Sequence, residues 1–333
     1  MTLASTHKIR LGMISYWNLH PFRREVQRAK FADLEMVEGV PSLLNRWLGD
    51  GTIHLAPCSS ICLSAADYEM ALPLGVASHG AVGSVYLGLS REHEPMLEAL
   101  QARRKRIQEV FAFARASFGC DVRKISSVVW KQLVEIPSEE RIKPPAIKIT
   151  KQSAASAMLT QILYKLWFGE SLQSPQLSSM TASAYGGKPI ELVIGDEALQ
   201  RKNSFYRTLD LGSLWKEMTE LPFVFAVWQS RGSMLNGWRR KIQDIGERAE
   251  TLMHIEPNRY LPTMLPLDTA GKELPLVDYW RKIHYRLGPD EFMGLLVFLC
   301  LARHCQGLPL DDALCVKILR WQEITETRRV PHL

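Results

Sequence analysis

Apolar residues recur along this chain in two alternating rhythms, short runs of strand character and longer stretches at helical spacing. Ile9-Arg10-Leu11-Gly12-Met13-Ile14 predicts a first strand, and residues 21–30 a helix with Pro21 in its first turn. Residues 34–38 form a second strand. Leu43, Leu44, Trp47 and Leu48 then mark one face of a helix that Gly49-Asp50-Gly51 ends. Residues 53–57 predict a third strand, and residues 71–77 and 80–90 two further β runs. The second of these is rich in small residues at its entry, which suits close approach of a ligand to the backbone.

A charged helix follows, in which Met96, Leu97, Leu100, Ile107, Val110, Phe111 and Ala114 keep helical spacing. Residues 147–150 resume the strand pattern. Ser153 is an N-cap for a helix over 154–168, striped by Met158, Leu159, Ile162, Leu163 and Leu166. Residues 190–194 and 223–228 are the last clear strands, with helices over 233–255 and 290–306. Such alternation predicts α/β architecture with mainly parallel sheets flanked by helices. The β runs at 82–89 and 223–228 bracket a segment with its own βαβ content, so the chain leaves one lobe and returns to it. The expected organisation is a discontinuous first lobe, 1–88 plus 225–333, and a second lobe, 89–224, carrying a helical insertion over about 91–146. A ligand cleft is expected between them.

A length of 333 residues fits two lobes better than one core, and 46% hydrophobic with 23% charged residues describes an ordinary globular protein. The start, Met1-Thr2-Leu3-Ala4-Ser5-Thr6-His7-Lys8, lacks the apolar core of a secretory signal, and the greasy run 292–302 is too short to span a bilayer. A cytoplasmic protein with no membrane partner is expected. The six cysteines show no Cys-x-x-Cys pair and no staggered cysteine/histidine set, so neither a disulfide framework nor a metal site is expected. Residues 91–148 carry most of the net charge of +6. Within them Arg103-Arg104-Lys105-Arg106 reads as the solvated face of the amphipathic helix, and no nucleic-acid partner is expected.

Catalytic triads, Walker loops and G-x-G-x-x-G fingerprints are absent. Instead, short hydroxyl and amide side chains stand at strand ends and helix starts: Ser15, Asn18, Ser59, Ser60, Ser84, Ser153 and Ser156. Ligands of open α/β sheets bind just beyond the carboxyl ends of strands. Helix N-termini with Ser or Asn caps receive carboxylates and phosphates without a buried cation. Each serine alone is a helix cap; several converging from two lobes imply a small, polar, anionic ligand.

Ile14-Ser15-Tyr16-Trp17-Asn18-Leu19-His20-Pro21-Phe22 resembles the S-Y-L-N-x-x-P-F opening of the chorismate dehydratase family of the futalosine route to menaquinone. Gly39-Val40-Pro41-Ser42-Leu43-Leu44-Asn45-Arg46, Ala56-Pro57-Cys58-Ser59-Ser60, Gly83-Ser84-Val85 and Ser153-Ala154-Ala155-Ser156 resemble its next motifs in order. Ile194-Gly195-Asp196-Glu197-Ala198-Leu199 and 221–228 resemble its later ones. The resemblance implies a periplasmic-binding-protein-like fold of the second type. It further implies a cytoplasmic lyase that dehydrates chorismate to 3-[(1-carboxyvinyl)oxy]benzoate with no metal or organic cofactor, as a monomer or homodimer. It assigns Asn18 to the reacting part of the substrate. Ser15, Tyr16, Ser59, Ser60, Gly83, Ser84, Val85, Ser153, Ala154, Ala155, Ser156 and Asp196 become its binding residues. His20 and His79 are candidate bases, but the substrate's own enolpyruvyl carboxylate is the preferred proton acceptor, since no acidic residue stands out in the first-lobe motifs.

The long basic segment, Ala155 in place of the motif's usual threonine, and Ser78-His79-Gly80-Ala81 in place of an acidic-Gly-Pro pattern depart from the family. Two alternatives follow. One is an enzyme like 1,4-dihydroxy-6-naphthoate synthase of the same pathway, whose opening motif is C-P-N-D-T-x-like. The other is a non-catalytic cytoplasmic small-anion binding protein.

Overall fold

The structure, a computed structural model, describes residues 8–65, 68–172, 188–231 and 236–328. The predicted start of a helix at Ser233 and the N-terminal residues before Lys8 lie outside them. The chain opens with β1 (Ile9–Ile14), a 3-10 turn (Trp17–Leu19), α1 (His20–Ala29), β2 (Leu34–Gly39), α2 (Pro41–Gly49) and β3 (Leu55–Ser59). A second 3-10 turn (Ser60–Ser64) leads to β4 (Glu69–Ser78) and β5 (Val85–Leu89). The middle of the chain forms α3 (Glu94–Phe118), α4 (Val122–Leu133), β6 (Ile147–Lys148), α5 (Ala154–Phe168), β7 (Ile190–Ile194), α6 (Gly195–Arg201), β8 (Arg207–Asp210) and α7 (Leu211–Thr219). β9 (Phe223–Ser230), α8 (Asn236–Ile255), α9 (Leu276–Trp280), β10 (His284–Arg286), α10 (Pro289–Cys305) and α11 (Asp312–Arg328) complete it.

The strands make two sheets, one ordered β10-β4-β9-β3-β1-β2 and the other β6-β7-β5-β8. Both are mixed, which corrects the expectation of mainly parallel sheets. β1 pairs in parallel with β2 and β3, but β9 runs antiparallel between β3 and β4, and β10 antiparallel to β4. In the smaller sheet only β6 and β7 are parallel. The cause is the double crossing: a strand entering a sheet from the far side arrives pointing the other way, and apolar periodicity carries no sign of direction.

The expected lobe boundaries also shift. β5, expected to close the first lobe, is an inner strand of the smaller sheet, with Val85–Gly88 opposite Ile194–Glu191. The C-terminal helices, expected in the first lobe, share a continuous core with the central segment. Leu295, Phe298 and Leu299 of α10 are buried in one cluster with Val129 of α4, Leu159 and Leu163 of α5, and Phe223 of β9. A helix apolar all round needs neighbours on every side, and α4, α5 and β9 all pack on α10.

The basic helix α3 buries Met96, Leu97, Leu100, Ile107, Phe111 and Ala114, as the spacing predicts. Arg103 lies on that same face rather than on the solvated one. Its Nε donates to the Leu166 carbonyl at 2.9 Å and its Nη2 to that of Leu133, so the guanidinium serves the last turns of α5 and α4. Positions 100, 103 and 107 follow helical spacing, so burial of Arg103 is written in the register, and the two carbonyls compensate its desolvation. Arg104 pairs with Glu217, and Arg106 with Glu140. Among the described residues, no helix is long and apolar enough to cross a membrane.

Candidate functional site

A narrow cleft of about 40 Å³ lies between the sheets. Tyr16, Asn18, Pro41 and Ser59 line it from the β1, β2 and β3 ends. Val82, Ser84 and Val85 line it from the crossing into β5, Ser153 and Ser156 from the start of α5, and Ile194 and Gly195 from the β7–α6 junction. Among the described residues, its lining carries no charged side chain.

The sequence places these groups through strand ends and caps. Ser153 caps α5, its Oγ accepting the Ser156 N–H at 3.3 Å and lying 3.0 Å from the Ser156 Oγ. Ser59 ends β3; its N–H donates to Asn45 Oδ1 at 3.0 Å, and Asn45 Nδ2 donates back to its Oγ at 3.3 Å. Ser84 Oγ accepts from the Tyr279 hydroxyl at 2.9 Å, and its carbonyl accepts the Gly195 N–H at 2.8 Å. Asn18 sits in the 3-10 turn after β1, held through its backbone: Tyr285 Oη donates to the Asn18 carbonyl at 2.7 Å. The Asn18 Oδ1 is buried and meets no donor among the described residues. A buried acceptor left unmade is expensive in a folded protein, so this atom faces a demand that a ligand donor would meet.

Hydrogen bonds also cross the cleft. Tyr16 Oη donates to Gln152 Oε1 at 2.6 Å, the Trp17 N–H to Asp196 Oδ1 at 2.9 Å, and the Ser42 N–H to the Gln152 carbonyl at 3.0 Å. The Tyr16 ring lies against Gly195, where an added Cβ would come within 2.7 Å of it; Gly195 also has φ +65°, so this close approach needs glycine twice over. Burial, with Asp196 and Glu197 nearby, pushes the Tyr16 phenol up to about 12, leaving it a neutral donor. Burial pushes the Asp196 carboxyl up to about 6, against the opposing effects of the Trp17 N–H and Arg23.

The predicted residues separate into two groups. Tyr16, Asn18, Ser59, Ser84, Val85, Ser153 and Ser156 converge on the cleft. Ser15, Ser60, Gly83, Ala154, Ala155 and Asp196 are not among its lining. Ser15 is engaged through its backbone, donating to the Gly39 carbonyl and accepting from Arg23. Ser60 and Ala155 are fully buried beneath the surface, and Ala154 is exposed. The Gly83 N–H is taken by Asp210 Oδ2 at 2.7 Å, in a turn that Asp210 also ties to the Val82 and Ser213 N–H groups. Asp196 works across the cleft through Trp17.

His20 is excluded as a base by its partners: its Nε2 bonds the Tyr260 carbonyl at 3.0 Å and its Nδ1 faces Arg23 Nη2 at 2.8 Å. Burial and that guanidinium hold it down to about 4, neutral and fully engaged. His79 is exposed and not among the cleft residues. Sequence reasoning missed Gln152, Asn45, Tyr279 and Tyr285, which hold the site residues. Asn45 lies inside one of the family-like motifs, so the signal was there; the two tyrosines stand in an unremarkable stretch, 195 and 267 residues from their partners.

A sequence profile of a family described as menaquinone biosynthesis matches residues 9–109 and 102–304. The chain belongs to the menaquinone biosynthesis family. Among solved structures, a Candida albicans protein described as having the generic periplasmic binding protein fold matches with a TM-score of 0.52 and 9% identity, over 95% of each chain. A structural-genomics protein of Archaeoglobus fulgidus matches with a TM-score of 0.47 and 12% identity, over 97% of this chain and 99% of that one. The alkanesulfonate-binding protein SsuA of Xanthomonas axonopodis pv. citri, bound to MOPS, gives 0.43 and 12%, over 97% and 93%. This member of the menaquinone biosynthesis family therefore has the periplasmic-binding-protein architecture that its ordered motifs imply. Those motifs meet at the cleft.

Proposed function

We propose that this protein is a chorismate dehydratase, a cytoplasmic lyase that forms 3-[(1-carboxyvinyl)oxy]benzoate within menaquinone biosynthesis. The observation that carries the reading is the convergence of Tyr16, Asn18, Ser59, Ser84, Ser153 and Ser156 on one uncharged cleft that bonds from both sheets close. Chorismate brings two carboxylates. The Ser153 and Ser156 hydroxyls at the start of α5, a 15-residue helix, suit one of them, with the helix dipole adding to the attraction. Ser59 and Ser84 suit the other.

The reaction removes the ring hydroxyl and a ring proton, and the ring becomes aromatic, so the substrate supplies the driving force. The protein's part is to orient it, exclude water and meet developing charge with prearranged donors. Asn18 fits the last task, its amide facing the departing hydroxyl or the ether oxygen while Tyr285 fixes its backbone. With His20 engaged on both nitrogens, the enolpyruvyl carboxylate of the substrate is the proton acceptor. Incubation of the purified protein with chorismate, followed by mass spectrometry, tests the reading. A product lighter by one water supports it, and binding without product favours a small-anion binding protein instead.

A further inference from the structure

Away from the cleft lining, α8 and β10 bring together three side chains with metal-ligand chemistry. Glu250 and His254 stand one turn apart on α8, and His284 opens β10, which pairs with β4 at the sheet edge. One ligand atom from each lies within 4.8 Å of the others. Glu250 is 8% exposed and the two histidines are half-buried, so this is not a scatter of solvated surface acids.

We propose that Glu250, His254 and His284 form a binding site for a first-row divalent cation, best matched by zinc, that ties β10 to α8. Two imidazoles and one carboxylate are a zinc donor set with a fourth position left for water. Glu250 Oε1 and His284 Nδ1 are 3.8 Å apart. That is beyond a hydrogen bond, and near the roughly 3.3 Å edge that tetrahedral ligands make at zinc bond lengths of about 2.0–2.1 Å.

The surroundings orient the ligands as metal sites require. His254 stands one helical turn from Glu250, so its ring and that carboxylate share one face of α8. Glu250 Oε2 accepts the Arg286 N–H at 2.8 Å, which holds the carboxylate with Oε1 turned towards His284. The Arg286 guanidinium stands on the Oε2 side, Nε at 3.6 Å, and its Nη2 is tied back to the Glu247 carbonyl and Thr251 Oγ1. Glu291 adds negative charge near His284. The ion would steady a three-residue edge strand whose middle residue, Tyr285, holds the Asn18 carbonyl. It would take no part in the chemistry of the cleft, so the proposal stands apart from the dehydratase reading.

The test uses the full chain, stripped with a chelator and dialysed. Zinc is titrated by calorimetry and cobalt(II) by visible absorption. One equivalent of each should bind, the cobalt spectrum should lack a thiolate charge-transfer band, and zinc should raise Tm. His254→Ala and His284→Ala should each weaken zinc by more than about a hundredfold, since losing a group that merely orients a ligand costs about 10- to 100-fold. Glu250→Gln keeps an acceptor for the Arg286 N–H and should show the same loss if either alanine variant fails to fold. Failure to bind one equivalent, binding untouched by these substitutions, or a thiolate band in the cobalt spectrum would overturn the site.

Discussion

Replacing Asn18 by alanine should separate turnover from folding, and the structure says why. Asn18 Oδ1 is buried without a donor among the described residues, so the substitution breaks no hydrogen bond at that atom. Its carbonyl keeps the 2.7 Å bond from Tyr285, so the 3-10 turn retains its anchor. Removing an unsatisfied buried acceptor relieves about 1–3 kcal/mol of desolvation, which offsets the lost packing of a small amide. The net change in unfolding free energy should stay within about 1 kcal/mol of zero by that balance. Turnover has no such compensation. Losing one prearranged donor in a closed site costs about 2.7–4 kcal/mol of transition-state stabilisation, or roughly a hundred- to thousandfold in kcat. Denaturant unfolding followed by a chorismate assay on the same preparation reads both quantities. Near wild-type kcat would remove Asn18 from the reaction. A fall in stability as large as the fall in rate would make it a structural residue.

Three further outcomes follow from the geometry. Gly195→Ala should destabilise the protein by about 1–3 kcal/mol and weaken substrate binding, because the new Cβ meets the Tyr16 ring at 2.7 Å in a positive-φ position; an unchanged Tm would contradict the packing argument. Ser153→Ala should cost about 1 kcal/mol through the lost cap of α5 and should raise KM for chorismate more than it lowers kcat. The Asp196 carboxyl, raised to about 6 in the fold, binds its proton more tightly folded than unfolded. Its contribution is therefore stabilising at pH 4 and is lost as pH rises towards and through 6, by about 3 kcal/mol at most. Asp196→Asn, which keeps an acceptor for the Trp17 N–H, should flatten that part of the pH–stability curve; an unaltered slope would assign it to other groups.

Much of the site was legible because strand ends and caps are local features. Ser153 before Ala154 announces α5, Ser59 closes the apolar run of β3, and Ser84 stands just before that of β5. The sequence pattern also located α3, yet it put Arg103 on the wrong face, since a cation in a basic cluster looks solvated until the carbonyls of Leu133 and Leu166 arrive from other helices. β8 and β10 escaped notice because Arg-Thr-Leu-Asp and His-Tyr-Arg are short and mostly polar. Their strand character comes from pairing with β5 and β4. For the same reason, the tyrosines of 279 and 285 that brace Ser84 and Asn18 carried no mark of their role. Strand direction lies further still from local pattern, because it depends on which side of the sheet the chain re-enters.

The central claim rests on one measurement. The purified protein, with chorismate in excess, is followed by liquid chromatography and mass spectrometry for substrate loss and product gain. The account predicts 3-[(1-carboxyvinyl)oxy]benzoate formed catalytically, many equivalents per protein, with Asn18→Ala slower by two to three orders of magnitude. Chorismate bound but recovered intact would contradict it.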